Sequence, residues 1–134
     1  GIEQIKRFTK FLSLRKKNYD YLLSKIKLKK SFSIVKFDNK PFFGSYYCLC
    51  LIINNKNINR LDIISKLNQK GIGTSIYYPK PIPAMTFYKK KYGYSSLKFK
   101  NAEKFSYRSI ALPIGTHLKK KDLNLIANSI NKVL

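Results

Sequence analysis

The chain has 134 residues, with 28 basic against 6 acidic side chains and a net charge of +22. That length supplies one hydrophobic core, not a cofactor domain joined to a separate substrate domain. A hydrophobic fraction of 44% and an aromatic fraction of 14% lie in the globular range, and no apolar run approaches the ~20 residues of a membrane helix, which excludes wholesale disorder and a membrane span.

The apolar residues Ile2, Ile5, Phe8, Leu12, Tyr19, Leu22, Leu23 and Ile26 recur at three- and four-residue steps between lysines and arginines. This spacing predicts one long amphipathic helix over 1–27. Residues 28–44 lose the period and read as a connector with a short extended piece at Phe32 to Phe37. The run Ser45 to Ile53 is apolar on both faces and predicts a strand central in its sheet. Ile58, Leu61, Ile64 and Leu67 then mark a helix from about Ile58 to Lys70, stopped at Gly71. Gly73 to Tyr77 is expected to be a short strand. Pro79, Pro81 and Pro83 forbid a ladder or helix and impose a shaped loop, which Phe87, Tyr88, Tyr92 and Tyr94 continue. A short helix at Asn101 to Tyr107, a last strand at Ser109 to Leu112 and a closing helix at Asp122 to Leu134 complete an α+β domain, a short sheet with helices on one face.

The charge attracts polyanions. Lysine, however, supplies 24 of the positive charges and arginine 4, whereas dedicated nucleic-acid readers use the bidentate arginine fork. Asn, Ile and Tyr are also abundant, so A/T-rich codon usage accounts for much of the lysine. Cys48 and Cys50 are the only cysteines and are expected to be buried, reduced thiols on opposite faces of their strand. With one histidine, His117, and no paired C-x-x-C, neither a zinc site nor a disulfide scaffold has its residues, and a reducing, cytoplasmic compartment fits. Glu3, Lys6, Arg7 and Lys10 interrupt the opening apolar residues, so no cleavable signal is read there. The start at Gly1 without Met is what a piece of something longer would show.

There is no G-x-S-x-G, Walker A loop, H-E-x-x-H or strand-borne G-x-G-x-x-G in this sequence. His117 reads as structural or solvated, and Asp62, Glu103 and Asp122 as helix-terminus charges or surface pairs. The informative stretch is Gly71-Ile72-Gly73-Thr74-Ser75-Ile76-Tyr77-Tyr78-Pro79-Lys80-Pro81-Ile82-Pro83-Ala84-Met85-Thr86-Phe87-Tyr88. Its prolines hold the backbone extended while Tyr77, Tyr78 and Lys80 present two hydroxyls and an ammonium, a set suited to a sugar or phosphate. The bland alternative is packing tyrosines beside a stiff connector.

Together with Phe99 to Lys104 and Ser109-Ile110-Ala111-Leu112-Pro113-Ile114-Gly115-Thr116-His117-Leu118, this stretch resembles the C-terminal domain of the DegT/DnrJ/StrS sugar aminotransferases. The opening Gly1 to Ile5 with Arg15 to Asn18 looks like that family's long helix leaving the cofactor domain, so the resemblance spans the chain. It implies the small domain of a fold-type-I enzyme. The implied reaction uses pyridoxal phosphate to move an amino group from glutamate to a nucleotide-linked keto-sugar for amino-sugar or surface-polysaccharide synthesis. The family's Schiff-base lysine and most cofactor ligands belong to a preceding large domain. No lysine here matches that motif, and the chain alone is expected to be inactive. The resemblance makes Tyr77, Tyr78 and Lys80 substrate contacts, Tyr78 foremost. Many members carry histidine at the positions of Tyr77 and Pro83, which removes a histidine contact here. The full-length protein is expected to be a homodimer. Two other readings stand beside this one: a small basic nucleic-acid-binding module, motivated by the charge and ten tyrosines, and an interaction domain whose long first helix needs a partner.

Overall fold

A computed structural model describes residues 1–35, 44–94 and 98–134. The first period forms α1 (Ile2–Lys25), whose two halves differ. Asn18, Tyr19 and Leu22 are buried, whereas Ile2 and Ile5 are more than 70% exposed and Phe8 also faces outward. After α1 the chain enters β1 (Phe32–Ile34). The rest of the expected extended piece, from residue 36 on, lies outside the described residues.

The predicted strand is realised over its second half as β2 (Leu49–Ile53). It is central, pairing antiparallel with β1 and with β3 (Ser109–Leu112), so the sheet order is β1-β2-β3. Alternation sends Leu49, Leu51 and Ile53 to one face. There the register sets Phe32 and Ile34 on one side of them and Ile110 and Leu112 on the other. Three helices close this face: α1, α2 (Arg60–Gln69) and α5 (Lys120–Val133), through Leu22, Ile63, Leu67, Ile126 and Ile130 among others. Burying such aliphatics is worth about 1.5–3 kcal/mol each and is the main source of stability. The Asn59 side chain accepts from Leu61 N–H at 2.9 Å to start α2. Gly71 follows that helix at φ 74°, a left-handed conformation that suits glycine. Asp122 accepts the Lys119 N–H at 2.8 Å at the start of α5.

Two expectations need correction. The strand expected over Gly73 to Tyr77 is reduced to a single pair, Ser75 with Ala111, whose amides bond each other's carbonyls at 3.1 and 2.8 Å. In that antiparallel register the next bonded partner on the Gly73 side is Pro113, which has no N–H to donate, and on the Tyr77 side it is Ser109, whose carbonyl accepts from Arg60 instead. The aromatic stretch is not all loop. Ile82–Ala84 makes a 3-10 turn and Thr86–Tyr92 forms α3, ending at Gly93 with φ 63°. Ring packing holds this short helix where proline spacing hid it: Tyr88 stacks on Tyr92 at 6.2 Å and Tyr92 on Tyr94 at 5.4 Å. Finally α4 (Lys100–Arg108) leads directly into β3.

Candidate functional site

The sheet face away from the core carries small or polar side chains, Ser33, Cys50, Ser109 and Ala111, with Ile52 the one large aliphatic. Phe105 of α4 lines a cleft together with Cys50, which puts that helix over this face. Arg60, at the start of α2, ties the region down. Its Nη1 donates to the Ser106 carbonyl at 2.6 Å and to that of Ser109 at 3.4 Å. Burial lowers the guanidinium pKa, the cost of drawing the charge out of water.

Tyr77, Tyr78 and Lys80 meet on one cleft of about 480 Å³, walled by Pro81, Ile82, Pro83 and Met85 of the proline segment and by Ala102, Phe105 and Ser106 of α4. Pro83 sits in the first turn of the 3-10 segment, where a missing N–H costs nothing, and the Met85 N–H closes the turn onto the Ile82 carbonyl at 3.0 Å. Tyr78 is 70% exposed and Lys80 is exposed, so hydroxyl and ammonium are both free to meet a ligand. The peptide joining Tyr77 to Tyr78 is cis, and their rings meet edge to face at 6.0 Å.

Tyr77 also borders a second cleft, of about 420 Å³, with Arg15, Tyr47, Cys48, Ser75 and the turn Pro113 to His117. Its ring lies 5.7 Å from that of Tyr47. Hydrogen bonding with Tyr77, followed by the charge effect of the same neighbour, holds the Tyr47 phenol above the usual tyrosine pKa. The Asn18 amide donates to the Gly115 carbonyl at 3.0 Å and so fastens the turn to α1. The His117 ring folds over Gly115: a Cβ there would stand 2.5 Å from His117 Cε1, so a side chain would have to displace that exposed ring. Arg15, Tyr47, Ser75 and His117 were not singled out as site residues from sequence. Arg15 and His117 lie about a hundred positions apart and meet only because α1 packs along α5.

Cys48 and Cys50 depart from expectation. Residues two apart in an extended run project to the same side, and their sulfurs lie 3.4 Å apart, each thiol partly exposed rather than buried. The contact with Cys50 lowers the Cys48 pKa to about 7 against the opposing effect of burial. The same contact, then burial, raises that of Cys50.

Pyridoxal phosphate chemistry asks for a lysine amine and an acid facing the pyridine nitrogen. Among the described residues lining these two clefts there is no aspartate or glutamate, and the one lysine is the exposed Lys80. These residues do not fit a complete cofactor site. They offer hydroxyls, two cations and apolar walls.

The family model for the DegT/DnrJ/EryC1/StrS aminotransferases matches residues 1–131. The uncharacterized protein MJ1066 of Methanocaldococcus jannaschii is 34% identical over 88 residues, 66% of this chain and 22% of that protein. Spr1654 from Streptococcus pneumoniae, in its PMP form, superposes with a TM-score of 0.82 at 24% identity, covering 99% of this chain and 33% of its own. Helicobacter pylori PseC, an aminotransferase involved in the biosynthesis of pseudoaminic acid, does so with a TM-score of 0.82 at 22% identity, covering 98% and 35%. The chain thus spans about a third of the length of these solved structures, and its α+β fold is the one they share over that third. No helix among the described residues is long and apolar enough to cross a membrane.

Proposed function

Because the chain belongs to the DegT/DnrJ/EryC1/StrS aminotransferase family, we propose that it is the C-terminal small domain of a pyridoxal-phosphate enzyme that moves an amino group from glutamate to a nucleotide-linked keto-sugar. The observation that carries this reading is the convergence of Tyr77, Tyr78 and Lys80 on one cleft beside the proline segment. The cofactor supplies the amino-transfer chemistry and is held by a large domain outside these residues. Clefts lined by hydroxyls and cations, with no acid among their described residues, suit a part that positions substrate and leaves the reacting amine to another.

In this reading the Tyr78 hydroxyl bonds the sugar, Tyr77 sets one wall of the cleft, and Lys80 meets a phosphate of the nucleotide carrier. The apolar walls exclude water from the sugar ring. Ile2, Ile5 and Phe8, exposed on the first turns of α1, form the surface on which the large domain rests, and the full-length protein is a homodimer. Unbridged cysteines suit the cytoplasm, where amino sugars for surface polysaccharide are assembled on nucleotides. The lysine-borne charge holds nucleic acid only nonspecifically.

The test has two arms. Purified chain mixed with pyridoxal phosphate and glutamate should show the absorbance of free cofactor alone. A stoichiometric, glutamate-sensitive band would place the reacting lysine here and end the proposal. In the full-length enzyme Tyr78→Phe should raise the sugar KM or lower kcat, and unchanged kinetics would remove Tyr78 from the site.

A further inference from the structure

The proposed amino transfer leaves one reactive cluster unused. Cys48 and Cys50 stand on the sheet face away from the core with their sulfurs 3.4 Å apart. Cys48 borders both the Tyr77 cleft and a smaller one of about 280 Å³ that Cys50 shares, so a small solute reaches either sulfur. We propose that this pair is a modification site for hydroperoxides, at which oxidation closes a Cys48–Cys50 disulfide within one chain.

The chemistry divides unequally between the two thiols. Cys48 is the attacking sulfur: it borders the wider cleft, and the Cys50 S–H lies within hydrogen-bond reach of it. Cys50 thereby favours a Cys48 thiolate, which is already abundant near neutral pH. The titratable groups that share the wider cleft with Cys48 are Arg15, Tyr47, Tyr77 and His117, and among the described residues no carboxylate lines it to oppose a thiolate.

The thiolate attacks one oxygen of hydrogen peroxide, the O–O bond breaks, and the departing hydroxide takes a proton to leave as water. Cys48 is then a sulfenic acid. The Cys50 sulfur attacks the Cys48 sulfur, the S–O bond breaks, and the hydroxyl leaves with the Cys50 proton as a second water. One peroxide is reduced to two waters while two thiols lose two electrons to one disulfide. A dithiol reductant reverses the change by exchange.

Closure requires a local movement. A disulfide needs its sulfurs at ~2.05 Å, so one residue must move. Cys50 is held in the ladder opposite Ala111, and its carbonyl accepts from Val35 N–H at 3.2 Å. Cys48 precedes β2 and lies outside the ladder, so the movement falls on Cys48. Its neighbour Tyr47 packs on Tyr77 and moves with it. The consequence for sugar binding rests on the function proposed above, whereas the thiol chemistry does not.

The experiment is peroxide treatment of the 134-residue chain, read by intact mass, thiol alkylation and non-reducing electrophoresis. The wild type should lose the mass of two hydrogens and both alkylatable thiols together, stay monomeric, and recover on addition of dithiothreitol. Cys50→Ser should accumulate a dimedone-trapped sulfenic acid at Cys48. Cys48→Ser should lose its remaining thiol about tenfold more slowly, since the attacking Cys48 thiolate is gone and burial still disfavours a thiolate at Cys50. Independent oxygen adducts on the two wild-type cysteines, a disulfide-linked dimer, or two thiols still alkylatable after peroxide would each overturn the proposal. The wild-type result decides the matter even if a serine variant fails to fold, and it is indifferent to whether the chain belongs to a transaminase.

Discussion

The two faces of the sheet are made by the same strands and are put to opposite uses. One carries Phe32, Ile34, Leu49, Leu51, Ile53, Ile110 and Leu112 and is sealed by α1, α2 and α5. The other carries mostly small or polar side chains and is lined by clefts, two thiols and the tyrosines of the proline segment. The difference teaches that the core and the clefts are built from opposite sides of the same strands. Alternation along a single strand assigns Leu49 and Leu51 to one task and Cys50 to the other.

The most direct way to break that comparison is to truncate each face. Leu51→Ala, at a fully buried site, should cost about 2–5 kcal/mol in urea unfolding. Tyr78→Phe, on the exposed loop, should change stability by less than about 0.5 kcal/mol. Equal losses would mean that the cleft loop is part of the core. Arg60→Ala is next in size. It leaves the buried carbonyls of Ser106 and Ser109 without their cation and should cost about 1–3 kcal/mol, and Arg60→Lys should rescue it only in part because the ammonium does not place its donor where Nη1 stands.

A smaller effect sharpens the link between the faces. Asn18→Ala removes the donor to the Gly115 carbonyl and should cost about 0.5–1.5 kcal/mol. It should also shift the His117 ring resonances in NMR, because the turn that carries His117 is loosened. Unmoved resonances would detach the turn from α1. Last, the rate of Cys48 alkylation should climb as pH rises through about 7 and level off above it. A lowered pKa means that the reactive thiolate is already half-populated near neutrality. In Cys50→Ser the climb should move to higher pH, since a serine hydroxyl lies farther from the sulfur it must support. A profile identical to the wild type would remove Cys50 as the cause.

Much of the fold was legible because it rests on local periodicity. The three-to-four spacing located α1 and α2, and the apolar run located the central strand β2. The misses have physical causes. The strand expected at Gly73 to Tyr77 stops at one pair because it meets Pro113 on the Gly73 side and, on the Tyr77 side, Ser109, whose carbonyl is taken by Arg60. The helix α3 was hidden because Thr86–Tyr92 is short, aromatic and adjacent to prolines, and it is held by rings stacking on one another. In the candidate site, Tyr77, Tyr78 and Lys80 were legible because they are neighbours in sequence on a segment whose prolines announce its shape. Arg15, Tyr47 and His117 were not, since no local pattern marks a pocket assembled from distant segments.

By itself, then, the amino-acid order determined the helical and extended periods, the shape of the proline segment and the hydroxyls it presents, because these depend on backbone sterics and side-chain spacing within a few residues. Tertiary structure alone decided which sheet face takes α1, α2 and α5, and that Arg15 and His117 share a cleft with Tyr77. Those relations depend on how α1 packs against α5 and on strand register, and both are settled only when the whole core is buried.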